Sequence, residues 1–197
     1  MSKLEIKYVP GATPLDPNEL AGLIPDYITT QGELNTLERD NILEAASWAL
    51  GKKHSAHLNV TFCSGLHQRM FKNVWKWAGR QRTTDKNIGV SKELIQQQLK
   101  LLFDDTDYWI KNVTYSPDEI ATRFHHRLVA IHAFANGNGR HARMMADIVL
   151  EQNGHQPFTW GNTDLYDSES SARKEYIESL KLADRGNIDR LLKFVRS

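Results

Sequence analysis

Apolar residues recur at helical spacing over most of this chain. From Thr30 to Leu50, the side chains of Leu34, Leu37, Ala45, Trp48 and Ala49 fall inward, and Gly51 supplies a stop. The pattern repeats from Cys63 to Trp77 through Leu66, Met70 and Val74, and a third helix is expected from Ser91 past Trp109. Ser116-Pro117-Asp118-Glu119 is a strong helix start, and the row it opens (Ile120, Phe124, Leu128, Ile131) ends at His132. Ala142 to Gln152 is apolar at Met144, Met145, Ile148 and Val149 and then meets Asn153-Gly154, a helix stop. A final helical pair runs from about Ser170 to Val195. Residues 1–28 read as an irregular arm broken by Pro10, Pro14, Pro17 and Pro25, with one short helix after Asp16, and residues 29–197 read as one domain.

One segment breaks the helical rule. Thr83, Thr84, Ile88 and Val90 favour extended backbone, while Asp85-Lys86-Asn87 and Gly89 supply turn and bulge residues, which predicts a small β-hairpin. Strands and helices do not alternate, so the expected class is an all-α helical bundle carrying one hairpin flap.

Composition narrows the function classes. The 197 residues include 25 Lys and Arg against 24 Asp and Glu, and without a basic excess no direct nucleic-acid binding is expected. No stretch has the length and apolarity of a membrane span, and Met1 to Lys7 lacks the apolar core of a signal peptide, so a cytoplasmic location away from membranes is expected. The single cysteine, Cys63, forms no internal disulfide and fits a reducing compartment.

The chemistry concentrates between His132 and Arg143, in the run His-Ala-Phe-Ala-Asn-Gly-Asn-Gly-Arg-His-Ala-Arg. Gly137 and Gly139 flank Asn138 and lack Cβ atoms, so backbone N–H groups there can approach phosphate oxygens. A helix start adds free donors and a partial positive charge, and Arg140 and Arg143 share one face of its first turn. His132 sits where a stiff helix meets this loop, and imidazole is the side chain best matched to proton transfer near neutral pH. A hydroxyl brought beside an α-phosphate would lose its proton there, which points to nucleotidyl transfer. The competing reading of His132 is a helix-end histidine that stabilises terminal carbonyls. His125, His126, His132 and His141 could suggest a metal site, but adjacent histidines on a helix diverge by about 100° and no carboxylate lies at ligand spacing. Phe134 reads as packing for the loop.

The run resembles the Fic motif, His-x-Phe-x-acidic-Gly-Asn-Gly-Arg-x-x-Arg, whose family transfers AMP from ATP to hydroxyls of proteins. Two positions depart from it: Ala133 replaces a frequent proline, and Asn136 replaces the acidic residue that binds magnesium in the family. An amide oxygen is a weaker ligand for a hard cation, so the resemblance implies ATP as substrate with magnesium binding weakened at Asn136. Trp77-Ala78-Gly79-Arg80-Gln81-Arg82 through Val90 resembles the family segment leading into its flap, which implies that Thr83, Thr84, Ile88 and Val90 dock the target backbone by β-augmentation. Tyr176 to Asn187 resembles the family's closing helix, which implies adenine contacts from Tyr176 and Ile177. Asp184 stands where members often carry asparagine, and a carboxylate only accepts, so the resemblance leaves base selectivity open. Each of these three also reads as an ordinary core or surface residue. From Gly11-Ala12-Thr13-Pro14-Leu15-Asp16-Pro17 onward the chain resembles the subgroup called mobile mystery protein B, which implies a small helix-turn-helix protein as a possible partner.

Many members of the family are held inactive by a helix carrying Ser/Thr-x-x-x-Glu-Gly/Asn. Thr29 and Glu33 have that spacing at the start of the 29–51 helix, which makes Glu33 an inhibitory candidate against Arg143. Thr30-x-x-Glu33 equally reads as a capping box, and Leu34 stands where glycine or asparagine is expected.

The resemblance implies a protein adenylyltransferase with His132 as base, Gly137, Asn138 and Gly139 cradling phosphates, and Arg140 and Arg143 balancing charge. The target is a protein bearing a Ser, Thr or Tyr hydroxyl. Asn136 and Asp184 leave open removal of AMP or use of another nucleotide donor, and a catalytically weak nucleotide-binding module of toxin–antitoxin type stands as a third reading.

Overall fold

The computed structural model describes residues 13–50, 58–162 and 170–197. Gly11, Ala12, the rest of the arm before Thr13, and the Gly51 stop lie outside them.

Eight α-helices account for most of the described residues. They are α1 (Pro17–Leu20), α2 (Gln31–Leu50), α3 (Val60–Phe71), α4 (Ile95–Lys111), α5 (Pro117–Ile131), α6 (Asn138–Gln152), α7 (Ser171–Ala183) and α8 (Asp189–Val195). Helices α5 and α6 form the central pair. Helix α4 lies against α5, α2 and α3 pack on each other and reach α6, and α7 pairs with α8. Among the described residues no helix is long and apolar enough to cross a membrane.

Local chemistry sets the helix starts. Ser116 Oγ accepts from Glu119 N ahead of Pro117, and Ser170 Oγ accepts from Arg173 N. Helix α3 begins three residues before the expected Cys63, because Asn59 Oδ1 accepts from Phe62 N at 2.8 Å. It ends at Phe71, and the chain continues to Trp77 in turns. Helix α6 begins inside the glycine loop itself.

The buried face of α2 is rotated from the expected one. It presents Leu34, Glu38, Asn41, Ile42, Ala45 and Ala49, while Leu37 and Trp48 are half-buried. A carboxylate and an amide therefore point inward from this helix, and both need partners.

The segment from Arg82 to Val90 does not form the expected hairpin. No strand occurs among the described residues, and its place is taken by a loop folded around one side chain. The buried Arg82 donates to the carbonyls of Thr84, Val90 and His132, and Arg82 N donates to Ala133 O. A guanidinium fork satisfies several carbonyls on divergent chain segments, so it replaces the cross-strand ladder that Thr83 to Val90 would otherwise build. We expect Arg82→Lys to lower stability by about 1–2 kcal/mol, since one ammonium cannot span the same acceptors. Thermal denaturation of the two proteins checks this.

The arm lies across that loop. Lys86 Nζ donates to Asp16 Oδ2 at 2.9 Å and Glu19 Oε2 at 2.6 Å, and Thr84 Oγ1 donates to Asp16 Oδ2 at 2.7 Å. Backbone bonds from Lys76 N to Gly22 O and from Ile24 N to Val74 O, with Trp77 Nε1 donating to Glu19 O, continue the attachment.

Candidate active site

Helix α5 ends at Ile131, and His132 turns the chain in the left-handed region at φ 54° and ψ 57°. That conformation is strained for a residue with a Cβ, at about 1 kcal/mol or more, so the surroundings must impose it. Arg82 Nε donates to the His132 carbonyl at 2.7 Å. Gly89 abuts the same residue: a Cβ at Gly89 would lie 2.7 Å from His132 Cβ. The loop after α4's neighbour α5 is thus held from the Arg82 side.

It is held from the other side by Asn138. Its Oδ1 accepts from Phe134 N at 2.9 Å and its Nδ2 donates to Phe134 O at 2.8 Å. The amide closes a loop that would otherwise need a backbone ladder. Both ends of this buried side chain are used, so Asn138 staples the loop, and only its main chain faces the cradle. Phe134 is fully buried and stacks on His67 at 3.8 Å between ring centroids. His67 Nδ1 accepts from Gly79 N, which leaves Nε2–H to donate to the Asn136 carbonyl at 3.1 Å.

Gly137 caps α6 in the left-handed region at φ 77°, and a Cβ there would meet the Phe71 ring at 2.5 Å. The first intrahelical bond of α6 is donated by His141 to Gly137 O, so the N–H groups of the preceding turn point out of the helix start. Gly139 differs from Gly137. A Cβ on it would find only Tyr176 Oη at 3.7 Å and Arg143 Nη1 at 3.9 Å, so nothing in the protein demands glycine. The space it leaves open is the cradle.

Positive charge converges on that space. Arg143 lies over the Tyr176 ring at 5.5 Å, and Arg140 over Phe71 at 5.0 Å. Arg173, on α7, has its pKa lowered by burial and then by Arg143, with Arg140 contributing further. The charges of Arg143 and Arg140 are felt at Arg173, and guanidinium groups gathered near a helix start favour an anion there. The sequence reading missed Arg173, because it lies one helix away on α7 in a run that looks like an ordinary polar face.

His132 is neutral at physiological pH. Burial, then the Arg82 guanidinium and, more weakly, Lys86 push its pKa down to about 4, against a smaller opposing pull from the Val129 carbonyl. Its Nε2 shares a hydrogen bond with Thr13 Oγ1 at 3.1 Å.

The other expected site residues separate into those at the cradle and those elsewhere. Tyr176 is buried, bonds to His125 Nε2 at 3.0 Å and borders the cradle through its hydroxyl. Ile177 is half-buried against the core. Asp184 is exposed and engages His126 Nε2 at 2.8 Å, so it acts as a surface tie between α7 and α5. Thr83 and Ile88 are exposed on the loop, Thr84 is tied to Asp16, and Val90 N donates to Ile131 O.

Asn136 Oδ1 accepts from Gly137 N at 2.6 Å and Arg140 Nη2 at 3.4 Å. An oxygen already facing an N–H and a guanidinium does not fit a cation, and magnesium is not held by Asn136 in this arrangement. Among the described residues no cluster of three or more His, Cys, Asp or Glu could hold a metal ion. The four histidines diverge, His125 to Tyr176, His126 to Asp184, His132 to Thr13 and His141 to Cys63 O.

Glu33 does not reach Arg143. Its carboxylate accepts from Thr29 N at 2.9 Å and Thr30 N at 3.0 Å, and these bonds lower its pKa. The short reach back to its own helix start wins over any distant arginine. The carboxylate that does enter the site is Glu38, one turn further along α2, whose Oε2 meets Arg140 Nη1 at 2.5 Å. We expect Glu33→Gly to leave nucleotide affinity unchanged, as titration calorimetry with ATP would read.

Residues 57–150 match the model of the Fic/DOC family. The protein adenylyltransferase fic-1 of Caenorhabditis elegans is 27% identical over 195 residues, covering 95% of this chain and 33% of that protein. The chain therefore spans about a third of the length of that curated relative. The solved structure of Fic-1 residues 134–508 from C. elegans superposes with a TM-score of 0.66 over 89% of this chain and 51% of that one, at 27% identity. A BepC protein from Bartonella tribocorum, solved with AMPPNP bound, shares the fold at a TM-score of 0.68 and 17% identity, over 91% of this chain and 96% of that one.

Proposed function

Because residues 57–150 match the model of the Fic/DOC family, we propose that this chain transfers AMP from ATP to a hydroxyl of a target protein. The observation that carries the reading is one loop, His132 to Asn138, joining a neutral buried imidazole to a helix start surrounded by Arg140, Arg143 and Arg173. Imidazole Nε2 takes the acceptor proton, the oxygen attacks the α-phosphorus, and diphosphate leaves. The main-chain N–H groups of Asn138 and Gly139 bind phosphate oxygens at the start of α6. Arg143 and Arg173 balance charge on the outer phosphates, joined by Arg140 once Glu38 releases it. No step is assigned to Asn136, whose role here is to fix the turn. Tyr176 closes the pocket wall on the nucleotide side.

The family relatives named as adenylyltransferases support ATP as the donor. The subgroup resemblance supports a small helix-turn-helix protein as a possible partner. The test is incubation of the purified chain with α-labelled ATP, UTP, GTP and CTP in turn, with and without cell lysate. Label transferred from ATP to protein supports the reading, whereas label carried only from another nucleotide reassigns the donor. A single observation favours a low-turnover state: Arg140 is occupied by Glu38 before any nucleotide arrives. ATP binding without transfer from either wild type or a Glu38 variant would select a nucleotide-binding module over an enzyme.

A further inference from the structure

The general base of this site already holds a hydroxyl, and it belongs to the same chain. Thr13 Oγ1 lies 3.1 Å from His132 Nε2, and Thr13 itself is only 8% exposed. A base must lie within hydrogen-bond reach of the proton it removes, and this contact meets that requirement without any rearrangement of the imidazole.

We propose that Thr13 is an acceptor for the group transferred here, so that the arm is modified by its own domain. The inference rests on the adenylyltransferase reading above. Three features beyond the contact support it. The arm is fixed in register: Asp16, three residues on, holds both Lys86 and Thr84, and Glu19 holds Lys86 again. Leu15 is buried in the core, so the two residues between Thr13 and Asp16 have little freedom. Lys86 and Thr84 lie on the loop that Arg82 ties to the His132 carbonyl, so the arm and the base hang on one guanidinium. The loop expected to clamp a target thus clamps residues 16–19 of this chain.

The step balances simply. The Thr13 hydroxyl proton moves to His132 Nε2, a bond forms between Oγ1 and the α-phosphorus of ATP, and the bond from that phosphorus to the bridging oxygen breaks. Diphosphate leaves with the electron pair. The product, a threonine bearing a charged nucleotide, is too large for the buried position beside His132. The arm must then withdraw, which opens His132 to a hydroxyl from another protein. A merely structural Thr13 would satisfy the buried nitrogen and do nothing more.

The test uses the full chain, as wild type and as Glu38→Gln, with ATP and magnesium, alone and with lysate. Intact mass and peptide mapping locate the AMP. Modification at Thr13, at a rate unchanged on dilution of the protein, is the expected result. It should persist in Thr13→Ser and be lost in Thr13→Val, which removes the nucleophile but keeps the shape. AMP on lysate proteins or on other residues, with Thr13 unmodified in both chains, overturns this inference and leaves the transferase reading standing. No transfer to any protein from either chain overturns both.

Discussion

Replacing His132 is expected to lower AMP transfer by on the order of 10²- to 10⁴-fold, the range for loss of a positioned general base. The informative substitution is His132→Asn. Position 132 lies in the left-handed region, where asparagine is tolerated and alanine is strained, so Asn separates loss of the base from loss of the fold. The phosphate cradle belongs to the start of α6 and to the arginines, so ATP affinity should stay within a few-fold while turnover collapses. The pH profile gives a second check. Burial and Arg82 hold the imidazole pKa down at about 4, so the neutral, proton-accepting form already dominates well below neutrality. Transfer should therefore be flat on its basic-limb plateau from about pH 5 upward and fall only as pH drops through about 4. Unchanged turnover in His132→Asn would remove His132 from the mechanism.

The parts of this molecule that were legible in its sequence are those set by local chemistry. The apolar row of α5, the Ser116-Pro117 start, and the Gly137 position all follow from neighbours within a few residues, and all appear in the structure. Phe134 packs as its place between loop and core required. What the sequence hid depends on distant partners. The composition of Thr83 to Val90 favours extended backbone, yet Arg82 gathers its carbonyls because it is anchored on His132, fifty positions along the chain. Asn138 reads as part of a phosphate cradle, and the sequence did not show that its side-chain amide is taken up by Phe134, which leaves that role to its main chain. Thr29 and Glu33 had the spacing of an inhibitory motif, and a helix start satisfied them first. A signal for Glu38 was present. It falls in the row Leu34, Glu38, Asn41, Ile42, Ala45, and a carboxylate on an apolar helix face calls for a buried partner.

That partner makes Glu38→Gln the second decisive variant, and we expect it to tighten ATP binding by about 10- to 100-fold, or about 1.4–2.7 kcal/mol. Glu38 Oε1 accepts from Trp75 Nε1 at 2.7 Å while Oε2 meets Arg140 Nη1, and the two paired side chains are only 5% and 17% exposed. A phosphate approaching Arg140 must first break this pair and leave the carboxylate in a poorly solvated place beside a second anion. Glutamine keeps an oxygen for the Trp75 indole and removes the charge, so Arg140 keeps its position and loses its competitor. Without nucleotide the variant should melt lower than wild type, because an arginine has lost its counter-charge. Saturating ATP should stabilise it more than it stabilises wild type, since the gain in melting free energy grows with the ligand's occupancy over its Kd. A lower melting temperature without ATP, together with a larger rise on adding it, separates a carboxylate that competes with ATP from one that only holds α2 against α6. Equal ATP affinity in both proteins would leave Glu38 a purely structural ion pair.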